Sequence, residues 1–476
     1  MAASKGIAGA LAGLFAWMMP GGAQAAPNRD RAFRGRYDSA QTNDNNRKHW
    51  GQADGLSADA AASPSVRKIL RERARYESAN NSYMSGAIGT RTNDIVGKGP
   101  RLQLTGQAGS TQIENDWADW MKRVGLAAKL RTLVTAWATD GEGFGLKTFN
   151  PAIEHAVKLD LRLIECDQIA SSWQDAGAVD GVTFDAYGNP VRYSVMKEHP
   201  GGVNIASIVG EYLSIEARDV VHLFTVLRAG QHRGIPLVTP SLQLYPQMRR
   251  YTLAVLGAAE MAASYAGVVK TDSPAGDYAE SADVETIQLA RNALVYMPQG
   301  WDMRQIEATQ PTANYPDFKR ENLSEAARCL NMPYNVAAAD SSRHNYASGR
   351  LDFQAYGIAI DIDRDLVGTA VLDPLFSAWV REYELATGRR INPAHEWYWP
   401  AREHVDPVKE ATATQIELLC GTTSLRAEYA KQGKDWEAEI RQIAAERKLC
   451  RELEVTLDQA APAPVAPDPQ PEAQNA

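Results

Sequence analysis

The spacing of hydrophobic residues differs between the two parts of this chain of 476 residues. Up to about Pro240, short strand-like segments alternate with longer ones in which apolar residues recur every three or four positions. Beyond Pro240 the helical spacing dominates, so the pattern predicts an α+β fold with a largely helical second half. The predicted strands are 101–104, 144–149, 158–164, 181–184, 191–196 and 220–224, and the predicted helices are 65–84, 113–138, 241–267, 284–294, 318–332, 348–387, 407–421 and 424–452.

The segment 329–350 is the most informative part of the chain, because it joins two predicted helices by a polar loop. The first helical pattern ends at Met332, since Pro333 disfavours helix in the residue before it. The second begins near Ser348, with Pro374 as its one candidate break. Such a loop could be a lid, a binding loop or a connector. Its residues are Asp340, Ser341, Ser342, Arg343, His344 and Asn345.

Charge and cysteine usage limit the class of protein. The net charge is −8 and the isoelectric point is about 5.6, so no overall basic field exists to hold nucleic acid. The four cysteines lie far apart without a CxxC pair. This spacing argues against a zinc site or a disulfide framework and suits a reducing cytosol.

The first 25 residues have the outline of a secretory signal. Lys5 precedes an apolar segment at 7–19, and Ala23-Gln-Ala25 resembles a cleavage site. The single lysine and the glycines in the apolar segment argue against export, so both readings stay open on the residues alone. No other segment approaches the roughly 20 apolar residues that span a bilayer. Residues 26–60 are polar and rich in Asn, Asp, Arg and Gly, so we predict an irregular arm there. The chain ends in a Pro/Ala-rich low-complexity tail.

The helix predicted at 65–84 carries five cations. In an acidic protein such a cluster is more often a solvated face than a phosphate contact, and a solvated face is predicted here. The five are Arg67, Lys68, Arg71, Arg73 and Arg75.

Two patterns suggest ligand binding, and both fail on spacing. Gly141-Glu-Gly-Phe-Gly145 lacks the lysine and the spacing of a phosphate loop, and it does not open a helix. Asp361, Asp363 and Asp365 point to different faces of a helix, and no glycine follows to form a calcium loop. These three carboxylates are predicted to be solvated or salt-bridged.

The histidines do not assemble a catalytic site either. The eight contain no HxxxH pair, and His404 has no serine elbow to act with. His222 lies in an apolar strand, where a structural histidine is predicted. Because no nucleophile, base and orienting group can be assembled, we predict no catalytic residue, no metal site, no cofactor and no enzymatic activity.

Several segments, taken in order, resemble the portal protein of lambda-type tailed phages. They span roughly residues 65–450 and carry the resemblance together rather than singly. This chain departs from the family pattern with Asn331-Met-Pro333 where Gly-Val-Pro is usual, and with Gly349-Arg350 where Ala-Arg is usual. The segments are Arg75-Tyr-Glu-Ser-Ala-Asn80, Gly86-Ala-Ile88, Asn93-Asp-Ile-Val-Gly-Lys-Gly99, Leu163-Ile-Glu-Cys-Asp-Gln-Ile169, Gly181-Val-Thr-Phe-Asp-Ala-Tyr-Gly-Asn-Pro190, Asp219-Val-Val-His-Leu-Phe224, Arg228-Ala-Gly-Gln-His-Arg-Gly-Ile-Pro236, Leu330-Asn-Met-Pro-Tyr334, Asn345-Tyr-Ala-Ser-Gly-Arg350, His404-Val-Asp-Pro-Val-Lys-Glu410 and Gly421-Thr-Thr-Ser424.

The resemblance implies a portal fold, assembled as a ring usually of twelve subunits at one capsid vertex. Its wing would be α/β, its stem and crown helical, and its clip a small α/β unit. The implied parts are a flexible arm (1–50), the wing (51–238 and 351–400), two stem helices (239–270 and 317–333), the clip (271–316), a tunnel loop (334–350), the crown (401–455) and a disordered tail (456–476).

The resemblance also implies a function without catalysis. Double-stranded DNA would pass through the ring, without sequence specificity, during packaging and ejection. The implied partners are further copies of the chain, the terminase large subunit, the major capsid protein, and head-completion or tail connector proteins. The implied location is the virion, after assembly in the host cytoplasm. Residues 1–25 would then be an arm, or follow from a start codon assigned upstream of the true one.

For the loop at 340–345, the resemblance implies a position at the narrowest part of the channel. Arg343 and His344 would contact DNA phosphates or, equally, pair with a neighbouring subunit. Two other functions stay open: a secreted α+β enzyme with an N-terminal signal peptide, and a nucleic-acid-binding module, which the acidic balance disfavours.

Overall fold

A computed structural model describes residues 48–49, 53–105, 110–171, 178–203, 211–263, 267–271, 301–305, 314–400, 407–432, 434 and 436–454. Several expectations from sequence lie outside the described residues: the signal or arm at 1–47, the helix 284–294, His404 and the tail at 456–476.

The N-terminal helices divide at Asn81, so the single helix predicted at 65–84 is wrong. The helices are α1 (Ala58–Ala61), α2 (Pro64–Asn80) and α3 (Ser82–Val96). Asn81 is extended, and its side-chain oxygen accepts hydrogen bonds from the amides of Tyr83 and Met84 at 3.1 and 3.3 Å. Because asparagine is a strong N-cap residue, it starts a new helix where the first one ends.

A glycine likewise divides the helix predicted at 113–138. Gly125 has a φ of +64°, a left-handed conformation that ends one helix and precedes the next. The strand before these helices, β1 (Arg101–Leu104), has the predicted bounds. The two helices are α4 (Thr111–Arg123) and α5 (Leu126–Asp140).

Two three-stranded antiparallel sheets follow. Their strands are β2 (Glu142–Phe149), β3 (Leu159–Ile164), β4 (Val182–Phe184), β5 (Pro190–Met196), β6 (Tyr212–Glu216) and β7 (Val220–Phe224). The orders are β3-β2-β7 and β4-β5-β6. Within the first sheet, Phe144 lies opposite both Ile164 and His222. The predicted hairpin of β4 and β5 is confirmed. The sequence reading missed β6, because its alternation is weak and most of it is exposed.

The second half is largely helical, as predicted, and none of the described helices could cross a membrane. Its elements are α6 (Leu244–Ala263), the antiparallel pair β8 (Gly267–Thr271) and β9 (Trp301–Gln305), α7 (Tyr315–Arg328), α8 (Tyr334–Ala338), α9 (Tyr346–Val367), a π-helical segment (Gly368–Leu372), α10 (Asp373–Thr387), β10 (His395–Tyr398), α11 (Pro407–Cys420), α12 (Leu425–Lys431) and α13 (Trp436–Glu452).

Three sequence expectations in this half are corrected. The helix predicted at 348–387 is interrupted by the π-helical segment, while Pro374 lies in the first turn of α10, where its missing N–H costs no hydrogen bond. The helix predicted at 424–452 is two helices, although Ser424 does cap the first by accepting the Ala427 amide at 3.2 Å. The strand β10 was not predicted, because its partner β1 lies far away in sequence.

A tryptophan cluster joins the two halves of the chain. The rings of Trp117 and Trp120 lie 4.7 Å apart, and Trp117 meets Phe376 and Trp379 edge-on at 5.3 and 5.4 Å. All four side chains are buried. Edge-to-face pairs add about 0.5–1.5 kcal/mol each beyond burial, so α4 and α10 are firmly packed together. The π-helical segment connects the end of α9 to α10, and so to this cluster.

Candidate functional site

The polar loop between α7 and α9 is held at its base by buried residues. Leu330 and Met332 are 4% and 2% exposed, and Asn335 and Ala337 in α8 are also buried. The segment expected to be a loop at 334–350 is therefore partly helical, since α8 follows Pro333 and α9 begins at Tyr346. Proline favours the start of a helix, and it does so here. Only residues 339–345 are outside a helix.

The first turn of the loop is built around Asp340. Its carboxylate accepts a hydrogen bond from the Ser342 amide at 2.9 Å, and the Tyr334 hydroxyl donates to it at 3.4 Å. The hydrogen bonds from Ser342 lower the pKa of Asp340, so this carboxylate stays charged. The preceding Ala339 has a φ of +52°, a conformation that residues with a side chain rarely adopt.

Arg343 is the exposed cation of the loop. Its Nη1 lies 2.6 Å from Oδ1 of Asp317 in the first turn of α7, and both side chains are more than half exposed. The hydrogen bond from Arg343 lowers the pKa of Asp317. An exposed pair of this kind is weak and screened by salt, so a competing anion can separate it.

His344 and Asn345 connect the loop to α9. The His344 Nε2 lies 3.4 Å from Asp352 in α9, and its Nδ1 is buried without a hydrogen-bond partner in the described part of the chain. The Asn345 side chain accepts the Ser348 amide at 2.8 Å, while the Ser348 hydroxyl accepts the Asn345 amide at 3.2 Å. This reciprocal capping fixes the start of α9.

The loop therefore offers hydrogen-bonding groups and one screened cation, and residues 339–345 contain no nucleophile beside a base. The structure brings all six predicted loop residues onto one connection of seven residues. It pairs Arg343 with Asp317 and His344 with Asp352 inside the same chain.

A second group of charges, which sequence reasoning missed, lies buried between the two sheets and α2. Arg233 binds both oxygens of Glu142, at 2.6 Å from Nη2 and 2.9 Å from Nε, and both side chains are essentially inaccessible. Burial acts to raise the pKa of Glu142, but Arg233 and His222 outweigh it and lower the pKa. Glu142 belongs to the glycine-rich segment 141–145, which resembled a phosphate loop. Its buried pair with Arg233 gives this segment a structural role.

Glycine in that same segment serves close backbone contact. Gly141 has a φ of +90°, and a Cβ there would lie 2.3 Å from the carbonyl carbon of Ile235. The segment directly after Arg233 is thus pressed against the start of β2, which positions the arginine over Glu142.

His222 is a structural histidine, as predicted. Its ring stacks on Phe144 and Phe224 at 4.2 and 4.3 Å, and its Nε2 lies 3.2 Å from Glu142. Burial, the largest effect, lowers the pKa of His222 despite the neighbouring carboxylate, so the ring is neutral.

The arginines of α2 correct the expectation of a solvated face. Arg67, Arg71 and Arg75 recur every fourth residue, so they share one face of the helix. Arg71 binds Asp167 at 2.9 Å, Arg75 binds Asp140 at 2.7 Å, and Arg67 pairs with Asp180. Their i, i+4 spacing was the available signal, because a basic stripe on an otherwise packed helix needs acidic partners. Lys68 and Arg73, off this stripe, are exposed as predicted.

The helical aspartates behave as the sequence predicts. Asp363 binds Arg91 at 2.8 Å, Asp361 lies 3.7 Å from Arg364, and Asp365 is exposed.

One group of possible metal ligands exists in the described residues. The ligand atoms of Glu165, Asp167 and His199 lie within 4.8 Å of one another. Arg75 Nη2 already occupies both carboxylates, at 3.1 Å from Glu165 and 2.8 Å from Asp167. The guanidinium of Arg75 therefore already supplies the positive charge that a metal cation would bring to these carboxylates.

The family model described as phage portal protein, lambda family, matches residues 44–357, and the chain belongs to that family. It is a phage portal protein, the connector between head and tail, and the family is a structural, non-catalytic one. No curated protein matches the sequence.

Solved structures give three further comparisons. A chain in the virion of a native gene transfer agent particle aligns with a TM-score of 0.46 and 15% identity, over 76% of this chain and 92% of that one. A chain in the neck of an empty gene transfer agent particle, computed with C6 symmetry, aligns with a TM-score of 0.45 and 15% identity, over 79% of this chain and 97% of that one. An HK97 family phage portal protein from Corynebacterium diphtheriae aligns with a TM-score of 0.31 and 12% identity, over 65% of this chain and 89% of that one.

Proposed function

We propose that this chain forms a closed ring of twelve copies at one capsid vertex, through which double-stranded DNA is packaged and ejected. Membership of the lambda portal family, matched over residues 44–357, is the observation that carries the proposal. The number twelve is the usual one for the family that the sequence resembles. The protein would act without catalysis, assemble in the host cytoplasm and stay in the virion.

The parts of the ring follow the order of the elements. Residues 51–238 and 351–400 would form the wing, which fits the two small sheets and the tryptophan cluster. Residues 239–270 and 317–333, which include α6 and α7, would form the stem. Residues 271–316 would form the clip and 401–455 the helical crown.

Charge supports passage of DNA rather than tight binding. Each copy carries a net charge of −8, so twelve copies carry roughly −100, and such an acidic assembly has little net attraction for DNA. Many such contacts would bind DNA firmly and resist its movement. The proposed partners beyond DNA are the terminase large subunit, the major capsid protein, and head-completion or tail connector proteins.

Within the ring, residues Asp340 to Asn345 would face the DNA as a tunnel loop. The exposure of Arg343 and its pairing with Asp317 support this role, since a screened pair can open to meet a passing phosphate and close again. The buried base at Met332 and Ala337 would hold the loop in place while it does so.

Electron microscopy of the purified full-length protein tests the proposal. Rings with about twelvefold symmetry and an open channel are expected. A stable monomer under every assembly condition would overturn the proposal. Recovery of the chain from the periplasm, processed after Ala25, would instead favour the secreted alternative.

A further inference from the structure

An apolar stripe runs along the outer face of α9. Leu351, Ile358 and Ile362 are 67%, 65% and 65% exposed, and their spacing places them on one face of the helix. Tyr356 and Ile360 on the opposite face are buried. The stripe is about 16 Å long at 1.5 Å per residue. A row of large aliphatic side chains exposed in this way is typical of an interaction surface.

The stripe has an acidic border at its C-terminal end. Asp361 and Asp365 are exposed beside Ile362, whereas Asp363 turns inward to Arg91. The stripe therefore favours a partner that is apolar at its centre and basic at its edge.

A groove of that chemistry lies between α2 and α6. A hollow of about 530 Å³ lies between the two helices, and an open hollow of about 540 Å³ along α6 alone adjoins it at Gln247 and Arg250. Its apolar walls come from Tyr76, Leu242, Pro246, Leu253 and Ala254. Tyr76 and Leu253 are 59% and 62% exposed, so the groove presents open apolar surface.

The border of the groove is basic. Glu77 is held by Arg249 at 3.0 Å, and Glu72 lies 4.0 Å from Lys68, so both carboxylates have cationic neighbours. Arg73 and Arg250, both exposed, complete the border. Apolar walls and a basic border thus complement the α9 stripe and its acidic border.

We propose that the α9 stripe of one copy lies in the α2–α6 groove of the next copy, with Asp361 and Asp365 facing Arg250 and Arg73. This inference rests on the proposed ring, and it names the faces that join its subunits. Because the stripe and the groove are different surfaces of one chain, the contact is heterologous and repeats around a closed ring.

Substitution of the stripe tests the inference on the full-length protein. Ile358→Asp would place a carboxylate in an apolar groove, so the fraction of chain in rings should fall at least about tenfold at equal concentration. Leu385→Asp, at an 88% exposed apolar residue outside the stripe, is the matched control and should assemble normally. Sedimentation and electron microscopy measure both. Rings formed by Ile358→Asp as readily as by the native chain would overturn the inference and leave the ring proposal intact.

Cross-linking identifies the occupant of the groove. In a chain with Cys420→Ser and Cys450→Ser, the pair Ile362→Cys and Leu253→Cys should give an oxidised ladder of multimers up to the full ring. The pair Leu385→Cys and Leu253→Cys is the control and should give none. A cross-link within single chains, or intact rings without a ladder, would overturn the inference that the stripe lies in the groove of the next copy. A native chain that never oligomerises would overturn the ring proposal itself.

Discussion

Arg233 closes over Glu142 with two hydrogen bonds from its guanidinium, at a point where neither side chain reaches solvent. The pair joins the start of β2 to the segment before α6, so it ties the sheet β3-β2-β7 to the start of the helical half. An ion pair removed from water is costly to break, because the remaining charge has nothing to replace its partner.

Replacing Glu142 with glutamine keeps the shape of the side chain and removes the charge. We expect the free energy of unfolding to fall by up to about 3–5 kcal/mol, since the buried Arg233 would lose its bidentate counterion and keep only Asp180, at 3.1 Å from Nη1. Urea denaturation measures the change. Glu211→Gln, which breaks the exposed pair with Lys197, is the control and should change stability little. Equal effects of the two substitutions would contradict the role given to Arg233 and Glu142.

Stability should fall on mild acidification because of His222. Its pKa in the folded chain is below the ordinary value of 6.5, so the unfolded chain takes up a proton that the folded chain excludes. The free energy of unfolding therefore decreases as the pH falls below about 6.5, until the folded pKa is reached. Glu142 adds a second loss only below its own ordinary value of 4.5.

Denaturation midpoints at pH 7.5 and 5.5 check this dependence. A His222→Gln variant cannot protonate at that site and should show a smaller difference between the two midpoints, although it is less stable overall. An unchanged difference would place the pH sensitivity elsewhere.

The left-handed backbone at Ala339 predicts a stabilising substitution. An alanine in this conformation costs about 1–2 kcal/mol, and glycine removes that cost while adding disorder to the unfolded chain. Ala339→Gly should therefore raise the free energy of unfolding by roughly 0.5–1 kcal/mol. Ala338→Gly, one residue earlier and inside α8, should lower it by a similar amount. Thermal unfolding of both variants decides, and a loss in both would rule out strain at Ala339.

Deleting Asp340–His344 should leave ring assembly intact and impair DNA packaging or retention. Asn345 is kept because it caps α9. In vitro packaging of the assembled particle gives the first readout, and electron microscopy of the rings gives the second. Loss of the rings themselves would make the loop an interface between subunits.

The pair of Arg343 and Asp317 allows a sharper test of contact with DNA. Asp317→Asn should free the arginine and increase the affinity of purified rings for DNA at low salt, whereas Arg343→Gln should decrease it. If Arg343 reaches phosphate, Arg343→Gln should also lower the slope of affinity against salt by about one, because one phosphate contact fewer releases about one counterion fewer. Identical behaviour of both variants would remove Arg343 from the channel surface.

Local signals explain which elements were predictable from sequence. The hairpin of β4 and β5 has a turn of Asp, Gly, Asn and Pro between two apolar segments, and β7 is a short, nearly continuous apolar run, so both could be located without tertiary information. Asn81 and Gly125 could not be recognised as helix breaks, because each lies inside a longer apolar pattern that continues on both sides. Each helix break arises from the backbone conformation of one residue, which is extended at Asn81 and left-handed at Gly125.

The candidate site was predictable in position but not in partners. The polar residues 340–345 locate the loop, yet Asp317 lies in the preceding helix, and nothing in the sequence pairs it with Arg343. The arginine stripe of α2 was misread for the same reason. Its acidic partners Asp140, Asp167 and Asp180 are far away in sequence, and only the fold brings them together.

The π-helical segment at 368–372 has a mechanical consequence for the loop. Together with α9 and α10 it forms one rod of roughly 60 Å, rooted in the tryptophan cluster and free of the core at its loop end. A lateral force on Arg343 would act on this rod as on a cantilever, with its bending moment concentrated where it enters the core. That point is the part of α9 with Tyr356 and Ile360, which are both buried, so the π-helical segment lies in the clamped part of the rod and the first turns of α9 form its free end.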